Sequence, residues 1–464
     1  MTKQEFREAC AKGIQILDGA TGSNLLKRGM PYGVCPELWV CENREVMVQL
    51  QKEYIANGSN IIYAPTFSGN RIKLKEYGLL DRMEELNRTL VEISKEAAQD
   101  KALVAGDITM TGAQLEPLGE LTFDELVDIY KEQIQIIVDA GVDLIVVETM
   151  MSLQETRAAV LAAREVCELP IMATLSFKEN GKTLYGVSAK SAVVVLQGLG
   201  VDAIGINCSA GPDKMLPVIE EMKQFATVPV IAKPNAGMPK LEADGTTGYD
   251  MNAEDFADYM EKLVEAGAGI IGGCCGTTPE FIGRIAKLTG KDAGYRASQI
   301  SKKTNVDTAV EEVAKNQEDR VLLASEREVF IFSAGQKLCI GSEINFSENE
   351  ELVEEYQDDI YDTVVDLAFD MEDADIIAIS TKAENVKEAE AMLAVAEELA
   401  RNVNVPLMIV SESLETIEFM LRHYSGIMAI QWSHNLEEWE TQIKCIAKSY
   451  QVPIVTIDNE IIYC

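Results

Sequence analysis

The sequence predicts an α/β protein in two parts: an N-terminal (β/α)8 barrel and, after it, a smaller parallel α/β domain of partial-barrel shape. Three observations predict this. Strongly apolar, strand-like runs recur along the chain. Each is followed by a stretch long enough for a crossover helix. Eight such units occupy about 290 residues, close to the usual size of a closed eight-unit barrel.

The eight runs are 14–20 (IQILDGA), 59–67 (SNIIYAPTF), 102–108 (ALVAGDI), 143–150 (DLIVVETM), 170–177 (PIMATLSF), 203–209 (AIGINCS), 229–237 (PVIAKPNAG) and 268–276 (AGIIGGCCG). Continuous Val/Ile/Leu runs are the mark of parallel strands buried on both faces. The polar stretch around 289–328 reads as a connector. Five further runs follow, at 338–345, 375–381, 406–413, 427–433 and 453–460. Five units cannot close an eight-stranded barrel, so an open sheet is expected, with an edge that must be covered. Pairing with a second copy is one way to cover it. The expected divisions are a barrel at 1–295, a linker at 296–335 and a second domain at 336–464.

A net charge of −35 argues against nucleic acid, whose phosphates would be repelled. Residues 301–464 carry −22 of it and residues 1–300 only −13, so the last third is either a solvated acidic surface or a docking face. No apolar run reaches the roughly 18 residues of a membrane span, and the charged N-terminus lacks a signal core. A cytoplasmic location is the default expectation.

Both histidines, His423 and His434, fall late in the chain. The barrel therefore has no Ser-His-Asp or Cys-His site and no imidazole for a metal. Its cysteines remain. Cys208 ends the sixth run, and Cys274 and Cys275 end the eighth, 66 residues further on. Chemistry in such barrels sits at the C-terminal strand ends, and strands six and eight are separated by only one strand. Three thiols can thus meet at one mouth. Adjacent cysteines seldom pair with each other, and the flanking glycines let the backbone turn. Three thiolates suit zinc, which keeps one position open in catalytic sites. Cys35 and Cys41 are the available candidates for a fourth ligand, while Cys10, Cys167, Cys339 and Cys445 read as small buried hydrophobes.

The strings LDGATG (17–22), GINCSAGP (205–212), PNAG (234–237) and GGCCGTTP (272–279), in this order, resemble the homocysteine S-methyltransferase family. That family includes the homocysteine module of cobalamin-dependent methionine synthase and betaine–homocysteine methyltransferase. The resemblance covers roughly residues 1–295. It implies zinc on Cys208, Cys274 and Cys275, with homocysteine bound by Asp18-Gly19 and Glu148-Thr149. Glu148 would pair with the amino group. Backbone amides and a hydroxyl between Asp18 and Ser23 would hold the carboxylate. Thr66, Asn207 and Asn235 are further candidates. Two loops depart from the family pattern: Ala64-Pro65-Thr66-Phe67 replaces Asn-Thr-Phe, and Gly106-Asp107-Ile108-Thr109 replaces a Gly-Ser-Ile/Leu-Gly-Pro string.

Residues 338–464 resemble the opening of the pterin-binding module of methionine synthase, with Ile340-Gly341-Ser342-Glu343-Ile344-Asn345 standing for Ile-Gly-Glu-Arg-Ile-Asn. Ala378-Ile379-Ser380 stands where that module ends its second strand in Asp-Val-Asn, and Ile409-Val410-Ser411 where it ends its third in Ile-Asp-Ser, so Val410 replaces the aspartate. A carboxylate is the natural partner of a pterin's N–H donors, so its loss argues against folate binding. The Asp-x-His-x-x-Gly signature of a cobalamin module is missing as well. The leading expectation is a zinc-dependent methyl transfer to homocysteine giving methionine, with no catalytic residue beyond the metal site. The donor would be a methylcorrinoid on a separate protein or a folate system in trans. Betaine or S-methylmethionine as donor, another thiol or selenol as acceptor, and a non-catalytic homocysteine- and zinc-binding protein are the alternatives.

Overall fold

The computed structural model describes residues 1–116, 118–241, 247–289, 320–431 and 437–463. Contacts divide it into two compact units: residues 1–189 with 200–311, and residues 190–199 with 312–464.

The first unit is the eight-stranded parallel barrel. Its strands are β1 (Gln15–Ile16), β2 (Ile61–Ala64), β3 (Leu103–Ile108), β4 (Leu144–Met150), β5 (Ile171–Leu175), β6 (Ala203–Cys208), β7 (Val230–Pro234) and, after a short β8–β9 hairpin (Pro239–Leu241, Thr247–Tyr249), β10 (Ala268–Ile271). The ladder runs β1-β10-β7-β6-β5-β4-β3-β2, each pair parallel. Its two ends meet through mixed bonds rather than a regular ladder. Asn60 N donates to Ile16 O at 2.9 Å, Ile16 N to the Asn60 side chain at 2.8 Å, and Tyr63 N to Asp18 Oδ2 at 2.8 Å. One carboxylate thus serves as a strand acceptor at the seam.

The inward side chains alternate along each strand, as the two-residue strand period requires. Leu17, Ile61, Ala105, Leu144, Val146, Met172, Ala203, Ile231 and Ile270 form one buried cluster with Phe6. Phe6 belongs to the N-terminal helix Lys3–Lys12, which opens with a Thr2–Glu5 capping box. Arg7 of the same helix reaches Asp202 and Lys3 reaches Glu168, two residues that precede β6 and β5. The helix therefore plugs the N-terminal end of the barrel, leaving polar chemistry to the other end. Truncating Phe6 to Ala removes a ring only 1 % exposed and costs about 3–5 kcal/mol by the usual cavity scale.

In the second unit, β14 (Ile340–Asn345), β15 (Ile376–Ser380), β16 (Leu407–Ile409), β17 (Ala429–Gln431) and β18 (Ile454–Val455) pair in parallel, as the five runs predict. The end of the fourth run, 432–433, lies outside the described residues. The covering of the exposed edge was left open by the sequence, and the chain supplies it. β19 (Glu460–Ile462) pairs antiparallel with β18, and β13 (Gln336–Lys337) with β19, giving a seven-stranded sheet of half-barrel form. Within the stretch read as a connector, β11 (Arg320–Ala324) and β12 (Val329–Ser333) form a hairpin, while residues 296–319 lie outside the described residues. Among the described residues, no helix is long and apolar enough to cross a membrane.

Candidate active site at the barrel mouth

At the C-terminal strand ends the inward register carries polar residues. Two positions beyond the apolar layer, β2 presents Tyr63, β3 Asp107, β4 Glu148 and β7 Lys233; Asn207 of β6 sits opposite Lys233 in the ladder. All five are buried.

The thiols converge there. Cys208, Cys274 and Cys275 have their sulfurs within 4.8 Å of one another, and the Cys208 and Cys275 sulfurs are 3.9 Å apart. Local backbone geometry brings this about. Cys208 adopts φ +64, a left-handed conformation that a non-glycine residue holds only where its surroundings fix it. Gly276, at φ +82, closes the turn after the cysteine pair, and a Cβ there would meet the Tyr249 ring at 2.3 Å. The pair is anchored by Cys274 N to Pro234 O at 2.6 Å, Ala236 N to Cys275 O at 2.9 Å and Gly273 N to Asp18 O at 3.1 Å. Ser23 Oγ accepts from Gly276 N at 3.2 Å, so the hydroxyl of that candidate braces the cysteine loop.

The cluster favours one thiolate. Hydrogen bonds from Cys208 and Cys274, with a further one from the Tyr249 hydroxyl, hold the Cys275 thiol down at about 3. Cys208 moves the other way because it donates to both neighbours. For Cys274 the bond with Cys208 lowers its value, but the bond to Cys275 and burial outweigh it and raise the group to about 11. A soft, partly ionised three-sulfur set of this size fits zinc. Zinc–sulfur bonds of about 2.3 Å in a tetrahedron put the sulfurs roughly 3.8 Å apart. Among the described residues no other group of three or more such side chains gathers in this way. Cys35, bonded to Glu37 Oε2 at 3.3 Å, and Cys41, bonded to Leu86 O, stand outside the group. Of the cysteines read as buried hydrophobes, Cys10 and Cys167 are half-buried. Cys339 and Cys445 are exposed, contrary to that reading.

Beside the sulfurs lies a buried ionic cluster. Lys233, 3 % exposed, places Nζ 3.8 Å from Asp18 Oδ1 and 3.7 Å from Glu148 Oε2, and 4.5 Å over the Tyr63 ring. Burial pushes Asp18 up to about 7 against the pull of Lys233 and the Tyr63 amide, and Glu148 likewise to about 7. Asp107, hydrogen-bonded to Glu148, is driven far above the carboxylate range by burial and then by Glu148 itself. Burial works against the charge on Lys233, but Glu148 and Asp18 outweigh it and keep the ammonium protonated. Three acids thus share one buried base.

The remaining candidates organise this cluster. The strand register slips at Glu148–Thr149, where Thr149 has φ +61; such a bulge re-aims a side chain at a strand end. Asn207 fixes the bulge, accepting from Thr149 N at 3.0 Å and donating to Thr149 Oγ1 at 2.7 Å and Glu148 Oε2 at 3.2 Å. Thr66 Oγ1 donates to Asp107 O at 2.8 Å and accepts from Asp107 N at 3.0 Å. Gly19 follows Asp18 where a Cβ would strike Tyr54 at 2.7 Å. Asn235 is buried, and its Oδ1 has no hydrogen-bond partner; Asp18 Oδ1, Asp107 Oδ1 and Tyr63 Oη are in the same position. Sequence reasoning missed Lys233, Tyr63, Tyr249 and the role of Asp107. The first two and Asp107 were accessible, because each stands two residues past a core position of its strand.

Comparison with known proteins agrees with this architecture. The family model described as homocysteine S-methyltransferase matches residues 15–289. Methionine synthase of Mycobacterium tuberculosis is 26 % identical over 486 aligned positions, covering 98 % of this chain and 39 % of that protein. Methionine synthase of Mycobacterium leprae is 28 % identical over 307 positions, covering 62 % and 25 %. The chain therefore spans well under half the length of the curated relatives it matches. Among solved structures, the metallated form of the homocysteine methyltransferase MmuM of Escherichia coli superposes with a TM-score of 0.52 at 22 % identity, covering 61 % of this chain and 99 % of that one. At that identity the likeness establishes the barrel fold. The family match takes in more than half of the sequence, and the chain belongs to the homocysteine S-methyltransferase family.

Proposed function

We propose that this chain transfers a methyl group to the thiol of homocysteine, giving methionine, with zinc held by Cys208, Cys274 and Cys275. The observation that carries this reading is the convergence of three sulfurs within 4.8 Å beside a buried cluster of acids. Zinc held by Cys208, Cys274 and Cys275 would supply the Lewis acidity that makes a substrate thiol nucleophilic at neutral pH.

The chain's own residues do the rest. Glu148, aimed by Asn207, and Asp18, at the barrel seam, receive the acceptor's ammonium. Thr66 and Ser23 hold the Asp107 strand end and the cysteine turn, and Gly19 keeps the seam close to Tyr54. The acceptor sulfur attacks the methyl carbon, an S–C bond forms, and the pair from the broken methyl bond leaves with the donor. The thiol proton passes to solvent.

A methylated corrinoid on a separate protein is the preferred donor, with a folate system in trans next. The proposed division is a catalytic barrel at 1–295, a linker at 296–335 and a pterin-binding-like domain at 336–464 that docks a partner. Val410, an apolar residue, stands where a pterin-binding carboxylate is called for, which disfavours folate here.

Zinc-loaded protein given L-homocysteine and, separately, methylcobalamin, methyltetrahydrofolate, betaine or S-methylmethionine tests this. Methionine from methylcobalamin is the expected product. Homocysteine binding with no methionine from any donor would make the chain an acceptor-binding protein instead.

A further inference from the structure

We propose that Tyr249 is a positioning residue for the metal site: its hydroxyl donates to the Cys275 sulfur and lowers the charge which that thiolate gives to zinc. This deepens the proposed function. It rests on the reading of the three cysteines as zinc ligands, and not on the identity of acceptor or donor.

Tyr249 ends the second arm of the β8–β9 hairpin, where it pairs with Pro239. The root of that hairpin is stitched to the cysteine turn through a single residue. Ala236 N donates to Cys275 O at 2.9 Å, and Ala236 O accepts from Met251 N at 3.0 Å. Asp250 ties the two arms together, accepting from Met238 N at 2.9 Å and meeting Lys240 Nζ at 3.1 Å. The Tyr249 ring lies against Gly276, where one added carbon would come within 2.3 Å of it. Backbone bonds on one side and ring packing on the other thus direct the hydroxyl to Cys275, and the two side chains are hydrogen-bonded. The first arm, Pro239–Leu241, is exposed throughout, so Tyr249 is the side chain by which the hairpin reaches the thiols.

Hydrogen bonds from outside the ligand set tune a metal through its ligands. A bond donated to sulfur draws electron density from it, so Cys275 passes less charge to the cation. A divalent cation with three cysteine thiolates carries a net charge of about −1, and a substrate thiolate takes this to about −2. In a half-buried setting that excess is costly, and a hydroxyl proton aimed at one sulfur offsets part of it. More of the metal's acidity is then left for the substrate sulfur.

The test uses protein reconstituted with cobalt(II) in place of zinc, because thiolate-to-cobalt charge transfer reports the electron density on sulfur. Tyr249→Phe keeps the ring against Gly276 and removes only the hydroxyl. 3-Fluorotyrosine at the same position keeps the hydroxyl and makes it a stronger donor. The charge-transfer band should move to lower energy in Tyr249→Phe and to higher energy with 3-fluorotyrosine. Zinc affinity of Tyr249→Phe, read by competition with a chromogenic chelator, should fall by about tenfold, the low end for loss of such an outer contact. A band that stays in place in either variant, or that moves the same way in both, overturns the assignment. The tyrosine then only packs against the turn, and the three-thiolate site stands. Wild-type protein that binds neither cobalt nor zinc overturns the metal reading as well.

Discussion

Cys208 and Cys275, 67 residues apart in the chain, hold their sulfurs 3.9 Å apart at the ends of β6 and β10. That is close to the roughly 3.8 Å edge of a zinc–thiolate tetrahedron. The left-handed backbone at Cys208 and the glycine turn after Cys275 bring the two sulfurs to this separation.

Gly276→Ala tests the turn. An alanine at φ +82 also drives its Cβ into Tyr249, so about 1–3 kcal/mol of stability should be lost. Zinc affinity, followed by competition with a chromogenic chelator, should fall with it. Unchanged affinity would mean that the turn does not organise the thiols.

Tyr249→Phe removes the hydroxyl that stabilises the Cys275 thiolate. In metal-free protein, Cys275 should be the first barrel-mouth cysteine alkylated by iodoacetamide below neutral pH. In the variant the pH profile of its alkylation should move upward. Mass mapping of the modified peptide reads both results, and a profile that stays in place contradicts the assigned bond.

Asn207→Ala leaves the Thr149 amide and hydroxyl without their partner in a part-buried bulge, at a cost of about 1–3 kcal/mol. Because Asn207 also steadies Glu148, homocysteine should bind more weakly while zinc content is retained. Parallel measurement of zinc and of homocysteine affinity separates this from general unfolding.

The buried acids set a pH dependence for the metal-free chain. Asp18 and Glu148 have folded-state values raised to about 7, so the folded state holds protons that the unfolded state has released. Their contribution to stability is fully present below the ordinary carboxylate range and is lost as pH rises from there through about 7. Thermal melts between pH 4 and 8 should show this decline, and Glu148→Gln should flatten part of it. A wild-type midpoint that climbs across that window contradicts the assignment.

The barrel was legible because buried parallel strands write themselves as apolar runs, and all eight runs contain an observed strand. The thiol cluster was legible because strand-end placement follows from that count. Lys233 was not, since it sits inside the seventh run, PVIAKPNAG, whose apolar residues read as a plain buried strand followed by a loop. The signal was present nonetheless: a lysine two positions past inward Ile231 must point into the barrel, and a buried charge needs partners. Asp107 departs from the family string, and its two-residue spacing from Ala105 also turns it inward. Tyr249 was out of reach, because its approach to Cys275 depends on how the β8–β9 hairpin folds back, a tertiary fact that local pattern does not encode. In the second unit the edge strands β13 and β19 are two and three residues long, too short for a periodic signal.

The most direct test of the central claim is zinc content by elemental analysis, in wild type and in Cys208→Ala, joined to X-ray absorption at the zinc edge with and without homocysteine. About one zinc per chain in a three-sulfur environment is expected, lost in the variant, with a fourth sulfur appearing when homocysteine is added. Protein prepared under reducing conditions that takes up no zinc on reconstitution, or zinc retained undiminished by Cys208→Ala, would contradict it.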